Sequence, residues 1–482
     1  MGYRPHAWHV QEKSETRSTK MNDILTIINL SYVVAAALFI IGLKLLSHPD
    51  TARKGNFVSA LGMLVAVLVT LLDQQIISYH YIVLGFVIGG AIGAWKARTI
   101  EMTAMPEMVS LFNGFGGLAS LVLGWATFTG MDLPTLQTES IFVFVTLLFT
   151  ILVGGITFSG SVVAWGKLSG KIKAKAFIFK GLRELSVLHL VAIAVVGYLF
   201  VTAPSTSLWL YFAIALALSF GLWATISIGG ADMPVVIALL NSYSGIAASA
   251  AGLATGNTIL VVTGLLVGAS GLILTSVMCK AMNRSLINVL LSGFAKPVAA
   301  GEKIEGEIKV LSAQDAFYVL EAAQAVLVVP GYGMAVAQAQ HAVRELQSLL
   351  EENGATVDYA IHAVAGRMPG HMNVLLAEAD VPYDQLYEME DVNPRMENYD
   401  VVIVIGANDV VNPAAKEMKG SPIYGMPVIE AYRAKTVFVL KRSADAGFAG
   451  VDNPLFFKDN TRMVLGDAKD TINSIVREFA EA

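Results

Sequence analysis

Apolar positions in this chain fall into two regimes. Between residues 21 and 282 they form long runs, whereas from 300 to 482 they form short runs broken by polar turns. A helix needs about 20 mainly apolar residues to cross the hydrocarbon core of a bilayer. Nine stretches meet or approach that length: Ile24–Leu46, Phe57–Leu72, Tyr81–Trp95, Met108–Phe128, Ile141–Trp165, Val187–Val201, Leu208–Ile228, Pro234–Ala254 and Thr258–Met282. None alternates as a barrel strand would, and backbone groups in lipid need internal partners, so helices are expected.

The later regime has the rhythm of an α/β domain. Ala325–Pro330 is an apolar run of the length of a buried parallel strand. Gly331-Tyr332-Gly333-Met334-Ala335-Val336 follows, then an amphipathic helix expected over Ala335–Asn353, stopped by Gly354, then a strand over Thr356–His362. Strand, glycine turn, helix and strand make a βαβ unit with GxGxxV at its first turn. Such glycines allow a tight turn and close approach to a pyrophosphate at the helix N-terminus. Further strands are expected at Val401–Ile405, Thr436–Leu440 and Met463–Leu465. They lead into Gly406-Ala407-Asn408-Asp409, Lys441-Arg442-Ser443 and Gly466-Asp467-Ala468. The fold class is therefore a multi-pass α-helical membrane bundle of about nine spans, followed by a Rossmann-like, doubly wound parallel sheet. The division runs 1–20 extension, 21–282 membrane domain, 283–324 connector with a short helix near Ala313–Ala323, and 325–482 nucleotide-binding domain.

Composition supports two solvents for one chain: 55% hydrophobic and 15% charged residues, with mean hydropathy +0.61. The net charge of −5 speaks against a nucleic-acid partner. One cysteine, Cys279, excludes a disulfide within the chain and any multi-cysteine metal site, and no HExxH or CxxCH pattern occurs. No bound metal is expected.

Charge also sets orientation. Loops 47–56 (Arg53, Lys54), 96–107 (Lys96, Arg98) and 166–184 (Lys167, Lys171, Lys173, Lys175, Lys180, Arg183) are basic, while 73–80, 129–140 and 202–207 hold no Lys or Arg. Basic short loops stay in the cytoplasm, which puts the C-terminal domain inside. Residues 1–20 carry Arg4, Lys13, Arg17 and Lys20 on the opposite side and lack the apolar segment of a signal peptide. They are expected to be a disordered extension, with Met21 the natural start.

Within the spans, Gly85, Gly89, Gly90 and Gly93 on one helix, and Gly114, Gly116, Gly117 and Gly124 on another, suggest close helix packing. Polar residues at depth usually face a bundle interior or a water path. Asn113, Asp232 in Gly229–Pro234, Asn241, Ser242 and Ser244 are of this kind. Interhelical hydrogen bonding, or a plain helix cap at Asp232, is the simpler alternative. No span carries the chain of carboxylates or histidines of a self-contained proton relay, so a proton path is sparse or completed by another subunit.

In the soluble half, a cofactor site that prefers unphosphorylated ribose usually ends its second strand in Asp or Glu. Ala360-Ile361-His362 has no acid, which favours a phosphorylated ribose or an unusual cofactor pose. Lys441 and Arg442, at a strand end, suit a 2′-phosphate, and the alternative is a solvated basic pair. The Val364–Gly370 loop, with Arg367, is either a cofactor-contacting loop or a plain turn.

These motifs together resemble one family. Met105-Pro106-Glu107-Met108, Gly229–Pro234, Asn241-Ser242-Tyr243-Ser244-Gly245, Met278–Arg284, Pro330–Ala335, Ala365–His371, Gly406–Pro413 and Lys441–Ser443 are similar to β subunits of bacterial proton-translocating transhydrogenases over essentially all of 21–482. The resemblance implies NADP(H) bound here in a flipped orientation, which weakens the assignment of the pyrophosphate to the Gly331–Gly333 turn. Its contacts would be Tyr332, Val364, Ala365, Gly366, Arg367, Met368, Pro369, Gly406, Ala407, Asn408, Asp409, Val410, Gly425, Met426, Lys441, Arg442, Ser443, Gly447, Asp467 and Ala468. It implies proton coupling at Asn113, Asp232 and Asn241. Some members have histidine where this chain has Asn113, so a histidine of the partner is the expected carrier. It further implies a bacterial inner membrane, a partner α subunit bearing NAD(H), an α2β2-type assembly in lipid, and direct hydride exchange. That exchange needs positioning rather than a general base. Two other readings are a transporter or channel regulated by nucleotide and a membrane redox protein passing electrons to haem or quinone.

Overall fold

The computed structural model describes residues 6–73, 79–173, 176, 177, 179, 181–283, 285–290, 306–368, 370–419, 421, 423–445, 447 and 451–481. Among these, nine helices are long and apolar enough to cross a membrane. They are α1 (His6–Leu46), α2 (Pro49–Asp73), α3 (His80–Thr99), α4 (Met105–Thr129), α5 (Ile141–Leu168), α6 (Leu182–Thr202), α7 (Leu208–Ile226), α8 (Met233–Thr255) and α9 (Thr258–Ala281). Local chemistry sets their ends. Asn257 caps α9 by accepting from Leu260 N at 3.0 Å, and Pro106 and Pro234 sit in the first turns of α4 and α8, where a missing N–H is no loss.

Two expectations change here. Residues 6–20 are not a disordered extension but the first turns of α1. Beyond Pro5 this segment contains no Gly or Pro, so nothing in it breaks a helix propagating from the span. Lys167 is not a loop charge but lies buried on the last turn of α5. Its ammonium donates to Ile226 O at 2.7 Å and to Ile228 O, neutralising the carboxyl end of α7.

The bundle is built around α5 and α8, the latter the most buried span. The pair α8 and α9 cross at glycine: a Cβ on Gly264 would lie 2.4 Å from Ser249 N, and one on Gly245 2.4 Å from Gly268 N. Gly117 and Gly154 join α4 to α5 in the same way. The glycines of α3 behave otherwise. Gly85, Gly89, Gly90 and Gly93 meet nothing within 4 Å, and no residue of α3 is buried, so the packing expected of them does not occur within the described chain. Gly264→Ala should therefore lower stability by about 1–3 kcal/mol, because backbone has to move. Gly89→Ala should be neutral or stabilise by about 0.5–1 kcal/mol through helix propensity. Thermal unfolding of the two variants in the same detergent checks the contrast.

The soluble domain holds a six-stranded, all-parallel sheet of order β3-β2-β1-β4-β5-β6. The strands are β1 (Ala325–Pro330), β2 (Thr356–Ile361), β3 (Leu386–Glu388), β4 (Val401–Ile405), β5 (Thr436–Lys441) and β6 (Thr461–Leu465). Strand β3 has only three residues, LYE, too short to show a pattern in sequence. The helix expected over Ala335–Asn353 is broken into α11 (Tyr332–Val336) and α12 (Gln340–Glu352). Gln338 adopts φ +50° between them, a conformation that ends a helix.

The connector is shorter than 283–324. Residues 291–305 lie outside the described residues, but Val310 already pairs with Met463 beside β6. After it α10 (Ala313–Glu321) packs on the C-terminal helix α14 (Ala468–Glu481), with Phe317 and Phe479 edge to face at 4.8 Å. The domain's own packing thus starts near 306–311. Its core fills both faces of the sheet, with Val328, Ile403 and Leu440 on one side and Leu327, Val402 and Val439 on the other.

Candidate functional site

In strand order 3-2-1-4-5-6 the chain leaves β1 and β4 in opposite directions, and ligands of such sheets sit beyond that switch point. A cavity of about 430 Å³ lies there, within the range of about 300–1,000 Å³ typical of small-molecule sites. A second, of about 210 Å³, shares Gly333, Gly406, Lys441 and Arg442 with it.

The glycines at this point hold two loops together. Gly331 N donates to Ile405 O and Gly333 N to Gly406 O, both at 2.9 Å. A Cβ on Gly331 would lie 2.4 Å from Ala407 Cα, and one on Gly406 2.3 Å from Met334 N. The GxGxxV turn therefore lets the β1 and β4 loops cross, a demand separate from any pyrophosphate.

The first cavity is lined by Gly331, Tyr332, Gly333, Val364–Arg367, Gly406–Val410, Met426, Lys441, Arg442 and Gly447. The second adds Ser443, Asp467 and Ala468. Two sequence candidates, Met368 and Gly425, line neither cavity, and Pro369 lies outside the described residues. Gly425 instead meets Asn283, whose Nδ2 donates to Tyr424 O at 3.0 Å. Sequence reasoning missed Gly230, Pro234, Met282 and Ile423. The first three belong to the membrane half, and their place in this wall is created only when the two halves meet.

Arg367, Lys441 and Arg442 bring positive charge to these walls, and Asp409, Asp445 and Asp467 bring negative charge. Lys441 reaches the Asp445 carbonyl and lies 5.2 Å over the Phe456 ring. Burial pulls its pKa below the ordinary lysine value, while Asp409 and Asp445 favour the cation. Arg442 is exposed at the rim. Asn453 Nδ2 fixes Asn408 by donating to its Oδ1 at 2.9 Å, and Asn408 Nδ2 finds no acceptor among the described residues. An oxygen-rich ligand would supply one. Tyr332 lies under the Arg367 guanidinium at 4.2 Å, with its phenol held protonated by burial.

His362, at the end of β2, is 2% exposed. Its Nδ1 accepts from Val364 N at 3.2 Å and its Nε2 lies 2.8 Å from Pro427 O. That pairing fixes the neutral Nε2–H tautomer, and burial lowers the pKa in the same sense. A neutral imidazole here braces two cavity-lining loops where an acid would stand in a site for unphosphorylated ribose.

The α/β domain meets the membrane half at the ends of α4 and α5. Arg367 Nη1 donates to Leu168 O at 2.6 Å, and Gln338 Nε2 lies 3.4 Å from Glu101 Oε2. The described parts of loops 96–107 and 166–184 and the soluble domain therefore share one end of the bundle. Of the membrane candidates, Asn113 bridges three helices. It donates to Ser161 Oγ at 3.1 Å and accepts from Ser244 Oγ at 2.6 Å. Asn241 is half-buried and joins no side-chain hydrogen bond among the described residues. Asp232 is buried at the start of α8, but its carboxylate makes no capping bond, so the simple-cap alternative fails. The structure does not bring Asn113, Asp232 and Asn241 into one hydrogen-bonded cluster.

Comparison with known proteins agrees with this architecture. Residues 28–478 match a family described as NAD(P) transhydrogenase beta subunit. Two relatives named NAD(P) transhydrogenase subunit beta, from Rhodospirillum rubrum and from a particular strain of that organism, are each 47% identical over 455 residues. Those residues are 93% of this chain and 98% of the relative. The nine apolar helices make the chain a membrane protein, and it belongs to the family of NAD(P) transhydrogenase β subunits.

Proposed function

We propose that the switch-point cavity binds NADP(H) and that this chain exchanges hydride with NAD(H) carried by a partner α subunit, coupled to proton movement through the bundle. The observation that carries this reading is a switch-point cavity with Lys441 and Arg442 at the end of β5 and a neutral histidine, not an acid, at the end of β2. Lys441 and Arg442 would hold the 2′-phosphate, one as a point charge and the other as a fork. Asn408 and the backbone of Gly406–Val410 would orient the rest, while Val410, Ile423 and Met426 exclude water. Bound NADP(H) supplies the nicotinamide carbon that gives or takes the hydride. The protein's contribution is placement, since direct transfer between two such carbons requires no acid or base.

The same reading sets the chain in a bacterial inner membrane in an α2β2-type assembly, with the soluble domain cytoplasmic. The basic character of the loops beside that domain supports the sidedness. Proton coupling is assigned to Asn113, Asp232 and Asn241. Since an amide cannot carry a proton, the carrier near Asn113 is placed on the α subunit. In vesicles holding this chain with a matching α subunit, stereospecific transfer of tritium from labelled NADH to NADP+ should accompany a change in internal pH. Binding of NADP+ without any transfer of label would instead make the nucleotide a regulator and sink the reading.

A further inference from the structure

His371 is the first residue of α13 (His371–Glu378) and is fully buried. Its Nδ1 accepts from Arg367 N at 3.1 Å. Gly366, at φ +103°, lies so close beneath the ring that an added Cβ would meet His371 Nδ1 at 2.6 Å. The imidazole therefore shapes the turn that presents Arg367, whose guanidinium lines the cavity, covers Tyr332 and donates to Leu168 O of the membrane half.

We infer that His371 is a positioning residue for NADP(H) binding, which acts by holding the Arg367 backbone through a neutral imidazole. The inference rests on the proposed occupancy of the cavity by NADP(H). A protonated ring has no lone pair on Nδ1, so it cannot accept from Arg367 N. The turn would lose its anchor, and Arg367 its aim.

Burial and the Arg367 charge favour the neutral form, and the Met102 backbone opposes them with the smaller weight. Arg367 faces the ring from the loop and Tyr332 from α11, with ring centroids 6.2 Å apart. From the membrane half, the Met102 backbone acts on the ring as an acceptor, although Nε2 makes no full hydrogen bond. Glu107, on α4, faces Arg367 and Tyr332, with Lys171 beside it, and Glu101 pairs with Gln338. Burial lowers the imidazole pKa and the Arg367 charge pushes the same way. The ring also sits at a helix N-terminus, which disfavours a cation. The ordered state thus binds fewer protons than the disordered one. It is fully favoured above about pH 6.5 and loses ground as pH falls below that.

The test is calorimetric binding of NADP+ to the full chain in detergent, from pH 8 to pH 5, for wild type, His371→Ala and His371→Asn. Asparagine places an oxygen where Nδ1 stood but does not titrate. Alanine should weaken binding at pH 7.5 by about tenfold, the order expected for a lost hydrogen bond to the loop. Asparagine should restore it to within about threefold. Wild type should lose affinity below pH 6.5 more steeply than the asparagine variant. The 2′-phosphate titrates alike in all three proteins, so the difference between profiles isolates residue 371. Wild-type binding with an unchanged alanine variant, or an asparagine variant that keeps the full acid-side loss, overturns the positioning role. Should alanine fail to fold, the asparagine profile decides alone. No binding by wild type at any pH sinks both this inference and the cavity's proposed ligand.

Discussion

Gly406→Ala should unfold the soluble domain about 10 °C earlier than wild type. Two effects add at that position. The residue sits at φ +63°, where a side chain costs about 1–2 kcal/mol. Its Cβ would also press within 2.3 Å of Met334 N and 2.4 Å of Gly333 C. Both are backbone atoms, so no side chain can rotate away, and overpacking of this kind costs about 1–3 kcal/mol more. A total near 3 kcal/mol is a large part of the stability of a single domain, about 5–15 kcal/mol, and corresponds to that shift for a domain of this size. Scanning calorimetry of the full chain measures it. A soluble-domain transition within about 2 °C of wild type would mean that the β1 and β4 loops part easily, and their crossing would lose its structural weight.

Replacing Arg442 with alanine should weaken NADP+ binding about 10- to 100-fold and affect NAD+ binding far less. The side chain is exposed and joins no hydrogen bond within the described residues, so little folding energy depends on it. A charge-assisted bond to phosphate contributes about 1.5–3 kcal/mol, and each 1.4 kcal/mol is tenfold in affinity. Lys441→Ala should act in the same direction but less selectively, because Lys441 also reaches Asp445 and Phe456. Titration calorimetry with both coenzymes distinguishes the outcomes. Equal losses for NADP+ and NAD+ in the Arg442 variant would remove the phosphate from its assignment.

Much of this architecture is legible in the chain because it follows from period and punctuation. The spans show as apolar length, and β1, β4 and β5 as short apolar runs that end in glycine or basic turns. What sequence could not carry is whatever depends on partners brought from afar. LYE is too short to announce β3, and no breaker residue marks the kink at Gln338. Lys167 looks like one more loop cation until its ammonium is seen against the end of α7. The four glycines of α3 and those of α4 are alike in spelling, yet only the second set has a helix to lean on. Gly230, Pro234 and Met282 stand out as motif residues, but their place in the cavity wall arises only from the meeting of two halves that local patterns describe separately.

That shared wall has a thermodynamic consequence. A molecule lodged between Lys441 on one side and Pro234 on the other reports on both bodies at once. Any event that tilts one half against the other must change how tightly the guest is held, and the guest must tilt the halves by the same free energy in return. Such reciprocity requires no wire of residues between the bilayer and the sheet, only a seam that both of them line.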